Sequence, residues 1–326
     1  MPREVEPSQN EKAFVLKALS EQVRLDGRAL DQYRPIDLTF GDAYGVVDIK
    51  LGKTRSSSHP LGHFVLRLLT RNHRVLANVS AEVTVPYLDR PADGIFNIVT
   101  ELSPMISPAI EVNRPTEAEV LLSRLLEKTV RRSGALDTES LCLVGGRKCW
   151  SVRVDVHVLS HDGNLVDASC LAVVAALRSF RRPDTSIEGG VLTVYTPAER
   201  EPVPLSWLHS PLCVTFSFFG NEDAGGGGGG GGGTTSIAVL DATWLEEQFR
   251  TSSCTISLSK HGEICQISKL GGAPVEAVAL LQCTQLALAR VKELSDLLDR
   301  RLAEDAKARD KGGLMVELRA ENDRES

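Results

Sequence analysis

No Cys-x-x-Cys pair occurs in the 326 residues, although seven cysteines (142, 149, 170, 213, 254, 265 and 283) are present. Most of them sit inside apolar strands or helices, where a free thiol behaves as a small hydrophobe. Metal ligation and a disulfide framework are therefore not expected, and a reducing compartment is. The chain also lacks an excess of positive charge: 37 Lys and Arg against 43 Asp and Glu leave it at −6. A surface that binds nucleic acid all over is thereby excluded, so any nucleic-acid contact must be a local basic patch or depend on basic partners. No apolar run reaches the ~18 residues that a membrane span requires. The opening MPREVEPSQNEK carries no apolar signal core. A soluble intracellular protein is the expectation. Nine glycines, Gly225 to Gly233, run without interruption, but the Lys and the spacing of a phosphate-cradling loop are absent. They read as a flexible loop, since polyglycine cannot bury enough surface to order itself.

What is present is organised around Asp137 to Pro211. Trp150, Val152, Val154, Val156 and Val158 alternate with Ser151, Arg153, Asp155 and His157, the period of a half-buried strand. His161-Asp162-Gly163-Asn164 is a turn signal. Asp167 is placed to cap the helix that follows, and Ala168 to Leu177 are apolar on every side, so this helix belongs in a core. Arg181-Arg182-Pro183 ends it.

Around this centre the chain reads as a mixture of strands and helices, and its 42% hydrophobic content suits an ordinary globular core. A short amphipathic helix spans Ser8 to Gln22, packing either on its own domain or on a neighbouring subunit. Arg24 to Arg28 is a turn. Strands are expected at Ile36–Phe40, Gly45–Leu51, Val75–Tyr87 and Ile95–Leu102. Thr116-Glu117-Ala118-Glu119 is a capping box opening a helix to Ser133. Further strands fall at Cys213–Phe219, Ile237–Leu240, Thr255–Leu258 and Ile264–Ile267. A long helix runs from Pro274 into the 300s, and the tail from Glu304 is charged enough to be solvated.

Several blocks, in order, resemble the RNase PH family: RLDGR at Arg24–Arg28, DTESLC, VRVDVHVLSHDGNLVDAS, FRRPD and YTPAEREPVPLS. Within it they are most similar to the catalytically silent ring subunits of the eukaryotic RNA exosome. The resemblance implies an α+β fold, RNase PH-like (ribosomal S5 domain 2-like), in two pseudo-repeated halves. The expected division is a helical arm at 1–22, a first half at 23–205, a second half at 206–303 and a charged tail at 304–326. Against the family pattern, Ser56 to Arg74 is an insertion of nineteen residues where a short hairpin is the norm. It reads either as a basic RNA-touching loop or as a retained short intron, because nineteen codons keep the frame.

The resemblance also supplies a test for chemistry. Phosphorolytic members hold phosphate with a Thr-Arg pair in a DGGTRTAS turn, and position a metal or a proton with an acidic LDxDYxEDSxAxxDMN segment. Here Leu165-Val166 stands in place of Thr-Arg. Glu247 falls near the first catalytic acid and Ser253 replaces the second. Two apolar side chains cannot neutralise an anion, and Asp167 beside them would repel one. Glu246 and Glu247, if extended, would point to opposite faces. A phosphate-independent hydrolase using Asp241, Glu246 and Glu247 has no supporting motif, and an active phosphorolytic RNase is disfavoured by Leu165, Val166 and Ser253. A different silent ring subunit is the nearest rival. His161 beside Asp162 reads as a locally bonded turn histidine, since no nucleophile accompanies it. Arg114, in Arg114-Pro115-Thr116-Glu117, matches the family's RxxE segment and is the leading candidate RNA contact; as a plain surface residue it would bridge to Glu117. Arg181 and Arg182 could touch RNA, or complement the end of the preceding helix. No cofactor or metal is expected. The implied partners are the other RNase PH-like ring subunits, the S1/KH cap subunits, single-stranded RNA and a separate processive nuclease, without a membrane. The implied locations are nucleus, nucleolus and cytoplasm.

Overall fold

The computed structural model describes residues 7–52, 73–107, 109–111, 114–188, 191–196, 199–220 and 237–309. The glycine run, the insert up to Asn72 and the tail beyond Arg309 lie outside the described residues.

The alternating stretch forms β6 (Lys148–Ser160), whose odd-numbered neighbours Arg153, Asp155 and His157 face outward while Val152, Val154, Val156 and Val158 are wholly buried. Around it a six-stranded mixed sheet assembles. β1 (Ile36–Phe40), β2 (Val46–Leu51) and β3 (His73–Thr84) join antiparallel, β3 pairs with β6, and β4 (Ile95–Leu102) lies parallel to β6 on its other side. β5 (Cys142–Val144) adds a short antiparallel hairpin. β3 begins at His73, which pairs with Leu51. His73 and Arg74 therefore belong to the hairpin itself rather than to an insert running to Arg74, because strand pairing satisfies their backbone groups.

A second sheet, fully antiparallel, has the order β12-β11-β13-β14. Its strands are β11 (Leu212–Phe219), β12 (Ile237–Leu240), β13 (Ser252–Leu258) and β14 (Ile264–Leu270). The helix α3 (Leu165–Ser179) packs against β2 and β3 of the first sheet and β11 of the second. Ala168 through Leu177 are all buried there. This explains why the helix is apolar on every side, and each wholly buried Val or Leu contributes ~1.5–3 kcal/mol.

Two further helices close this core. α2 (Glu117–Val130) starts with the capping box of Thr116 and Glu119 and ends at Val130, a few residues short of Ser133. α5 (Ala277–Arg309) runs along the second sheet. Its last turn is held by Arg309, which donates to the carbonyls of Gly41 and Asp42, so helix rather than solvated tail continues from Glu304 to Arg309. α1 (Gln9–Ser20) packs on its own chain: Val15 and Leu19 bury against Phe219, Val239 and Phe249, while Phe14 stays exposed.

Candidate functional site

The turn that launches α3 brings together what the sequence spreads over more than two hundred residues. Gly163 takes φ +81°, and a Cβ there would lie 2.3 Å from the Ala242 carbonyl oxygen. Only glycine allows this approach. The turn is thereby pinned to the start of α4 (Trp244–Phe249), itself held by a capping box between Thr243 and Glu246. Asn164 is the N-cap of α3, in the left-handed region at φ 55°.

Asp167 is not the cap. It lies in the first turn of α3, buried, accepting from Tyr33 Oη at 2.6 Å, Asn164 Nδ2 at 3.0 Å, and the Thr215 amide and hydroxyl at 3.0 and 2.7 Å. It cannot repel an anion from the turn, because its charge points into the core. Burial raises its carboxyl to about 6 even though these hydrogen bonds pull the other way.

Asp241 is fully buried and held by three side chains: Arg28 Nη1 at 2.7 Å, Arg34 Nη2 at 2.8 Å and Asn164 Nδ2 at 2.8 Å. Burial would raise its carboxyl, but the Arg34 guanidinium, by charge and hydrogen bond, and Arg28 hold it well below the usual carboxylate range. Glu246 is equally committed, accepting from Arg24 Nε at 3.0 Å and Nη2 at 2.7 Å. Neither acid is available to activate a water. Glu246 and Glu247 are helical rather than extended, and diverge all the same: Glu246 faces Arg24, and Glu247 reaches the α3 turn.

Glu247 accepts from the Asn164 amide at 3.1 Å and from Arg250 Nη1 at 3.2 Å, with His161 Nε2 at 3.9 Å. Burial pushes its carboxyl up, against the pull of Arg250 and the Asn164 amide. Leu165 and Val166 are half-buried and pack against the core. Ser253 lies in β13 between Ser217 and Leu270, in a ladder of small hydroxyl side chains. Nearby, His73 is wholly buried, its ring edge-on to His161 at 5.6 Å between centroids. Burial, then the neighbouring His161 and Arg34, lower it to about 3, so it is neutral. Among the described residues, no group of three or more His, Cys, Asp or Glu is placed to hold a metal ion.

The basic candidates lie apart from this centre. Arg114 is exposed ahead of α2 and bridges to Glu111 at 3.3 Å rather than to Glu117, because the loop curls back before the helix begins. Arg181 and Arg182 form β7, paired with β10 (Val203–Pro204); the antiparallel pair β8 (Thr185–Glu188) and β9 (Val191–Val194) lies between them in sequence. Arg181 lies 5.7 Å from the centre of the Tyr44 ring, and Arg182 donates to the Ser140 carbonyl. Sequence reasoning took Arg24 to Arg28 for a simple turn and passed over Tyr33, Arg34 and His73. The signal that could have found them is charge: three arginines and two aspartates within the eleven residues 24–34, too many for a loop unless partners elsewhere absorb them.

The 3′ exoribonuclease family models describe two consecutive parts of this fold: domain 1 matches residues 32–183 and domain 2 matches 209–290. The chain belongs to the RNase PH family. Its relatives in that family include exosome complex component rrp45 of Schizosaccharomyces pombe, 44% identical over 310 residues, covering 95% of this chain and 96% of the relative. Exosome complex component RRP45 of Saccharomyces cerevisiae is 42% identical over 326 residues and covers both chains completely. The human RRP45 is 40% identical over 95% of this chain and 64% of its own length. Among solved RNase PH-type structures, an Archaeoglobus fulgidus exosome with RNA bound to the active site superimposes with a TM-score of 0.69 at 26% identity, covering 88% of this chain and 97% of that one.

Proposed function

We propose that this chain is a non-catalytic ring subunit of the RNA exosome, contributing structure and part of an RNA path rather than a nuclease centre. The membership rests on full-length similarity to exosome components in two yeasts. The observation that carries the silence is the start of α3, where Leu165 and Val166 pack against the core and the acids beside it, Asp167, Asp241 and Glu247, are bonded within the chain. A phosphorolytic site needs cationic and hydrogen-bonding side chains aimed at phosphate, and the first turn of α3 supplies none.

As a ring subunit it meets two different neighbours through two different surfaces, as a closed heteromeric ring requires. Its partners are the other RNase PH-like subunits, the S1/KH cap proteins and the processive nuclease to which RNA is threaded, in rRNA processing and general RNA turnover. Exposed Arg114 is the proposed RNA contact. The nucleus, the nucleolus and the cytoplasm are the proposed locations, which imaging of a tagged chain at native expression would check.

A phosphorolysis assay tests the silence directly. Purified chain, alone and with its ring neighbours, receives 3′-labelled single-stranded RNA, inorganic phosphate and Mg²⁺. No release of nucleoside diphosphate is expected from this chain. Release that disappears in Glu247→Gln would overturn the reading.

A further inference from the structure

The hairpin of β5 and β6 sets two cysteines opposite each other. In its register Cys142 pairs directly with Cys149, across the turn from Val144 to Lys148. Directly opposed residues of an antiparallel pair project to the same side, with Cα atoms about 4.5–5.5 Å apart. That lies inside the ~4.4–6.8 Å that a disulfide spans. Both positions are fixed by the fold. Cys149 is also paired with Thr84 on the far side of β6. Leu141, wholly buried just before Cys142, packs so close to Gly94 that a Cβ there would collide with it. The two thiols differ in access. Cys142 is partly exposed, with Sγ 3.9 Å from the Pro91 carbonyl, and Cys149 is wholly buried. Burial, then the neighbouring Cys142, raises the Cys149 thiol, which keeps it protonated. The other cysteines lack this combination. Cys170, Cys213, Cys254 and Cys283 are buried, and partly exposed Cys265 meets His209 at 3.9 Å rather than a second thiol.

We infer that Cys142 and Cys149 are a hydroperoxide-sensitive thiol pair that closes into a cross-strand disulfide within this hairpin. The exposed partner reacts first. The Cys142 sulfur, as thiolate, forms an S–O bond to hydrogen peroxide as the O–O bond breaks; the departing hydroxide takes up the thiol proton, leaving a sulfenic acid and one water. The Cys149 sulfur then attacks the Cys142 sulfur. The S–S bond forms, the S–O bond breaks, and hydroxide leaves with the Cys149 proton as a second water. Each sulfur gives up one electron, and the peroxide takes both. In a reducing compartment thiol exchange reopens the bond, so the closed form is a transient state. While closed, it staples to β6 the segment that Arg182 also holds through the Ser140 carbonyl.

Treatment of the purified full chain with hydrogen peroxide tests this, followed by alkylation of the remaining thiols and tryptic mass mapping without reductant. Trypsin cuts after Arg147 and Lys148, so the bond joins two otherwise separate peptides, 133–147 and 149–153. That linked pair is expected from wild type, lost again with dithiothreitol and absent from Cys149→Val. Oxidised wild type is also expected to melt ~2 °C above the reduced chain, because a short closed loop constrains the unfolded state only modestly. Cys149→Val should show no such gain, and comparing oxidised with reduced samples within each variant cancels any change in basal stability. If Cys149→Val does not fold, Cys142→Ser, at the partly exposed position, serves in its place. Three results would each overturn the inference: Cys142 recovered only as sulfinic or sulfonic acid or joined to a second chain, a linked pair that forms only in denaturant, or a linked pair that lowers the melting temperature.

Discussion

Arg24 and Glu246, 222 positions apart, meet through two hydrogen bonds of 3.0 and 2.7 Å with both side chains shut away from solvent. The same guanidinium also caps the carbonyls of Leu240 and Asp241. It thus ties the chain entering the first sheet to the strand–helix junction of the second, beside the α3 turn. Removing one partner leaves a buried charge uncompensated, which typically costs ~3–5 kcal/mol. Arg24→Ala and Glu246→Ala should each lower the urea midpoint by that equivalent. The double variant should cost less than the two losses added together, as a double-mutant cycle would show.

Two buried groups, Asp241 and His73, make the folded chain sensitive to acid. The Asp241 carboxyl is depressed in the folded chain, so its contribution is fully present above the ordinary carboxylate value and is lost as pH falls through the folded one. His73, lowered to about 3, acts in the same direction: the unfolded chain takes up its proton near pH 6.5 and the folded chain does not. Between pH 6 and 4 the Asp167 carboxyl, raised to about 6, offsets much of the His73 loss, so the net fall is expected above pH 6 and below pH 4. Chemical denaturation from pH 6.5 to pH 3 would show it, and His73→Phe should remove the His73 share.

Asp167 has the opposite sign. With its carboxyl raised from 3.8 to about 6, the folded state holds the proton more tightly, so the benefit is complete below pH 4 and disappears as pH rises through 6. The loss is on the order of 3 kcal/mol. In Asp167→Asn the amide can accept from Tyr33 and donate to the Thr215 hydroxyl, keeping most of the network uncharged. That variant is expected to gain on wild type as pH rises from 4 to 7, whereas Asp167→Ala should be less stable at every pH.

Arg114 is exposed and only weakly tied to Glu111, so its substitution should leave folding alone. If it touches the RNA backbone within the ring, Arg114→Ala should reduce the dependence of RNA affinity on salt by about 0.7 in the log–log slope, the share of one single-strand phosphate contact. Fluorescence anisotropy on reconstituted rings at several salt concentrations measures this. An unchanged slope would remove Arg114 from the RNA path.

Elements whose signals are local could be read before the chain was folded. The alternation in β6, the apolar helix α3 and the capping box of α2 were all legible in single windows of chain. Periodicity and capping depend on neighbours within a few residues, so no fold is needed to see them. Tertiary structure alone decided what the charges do. Asp167 reads as a helix cap because an acid stands near a helix start, yet Tyr33 and Thr215 from distant segments draw it into the core. Arg24 to Arg28 read as a turn and Arg34 drew no reading, yet Asp241 and Glu246 receive all three arginines in the interior. Glu247 reads as a relic of an acidic motif, and only the contact of Gly163 with Ala242 shows that it reaches the α3 turn. A charge finds its partner through space, and the distances that set its energy exist only once the chain has folded.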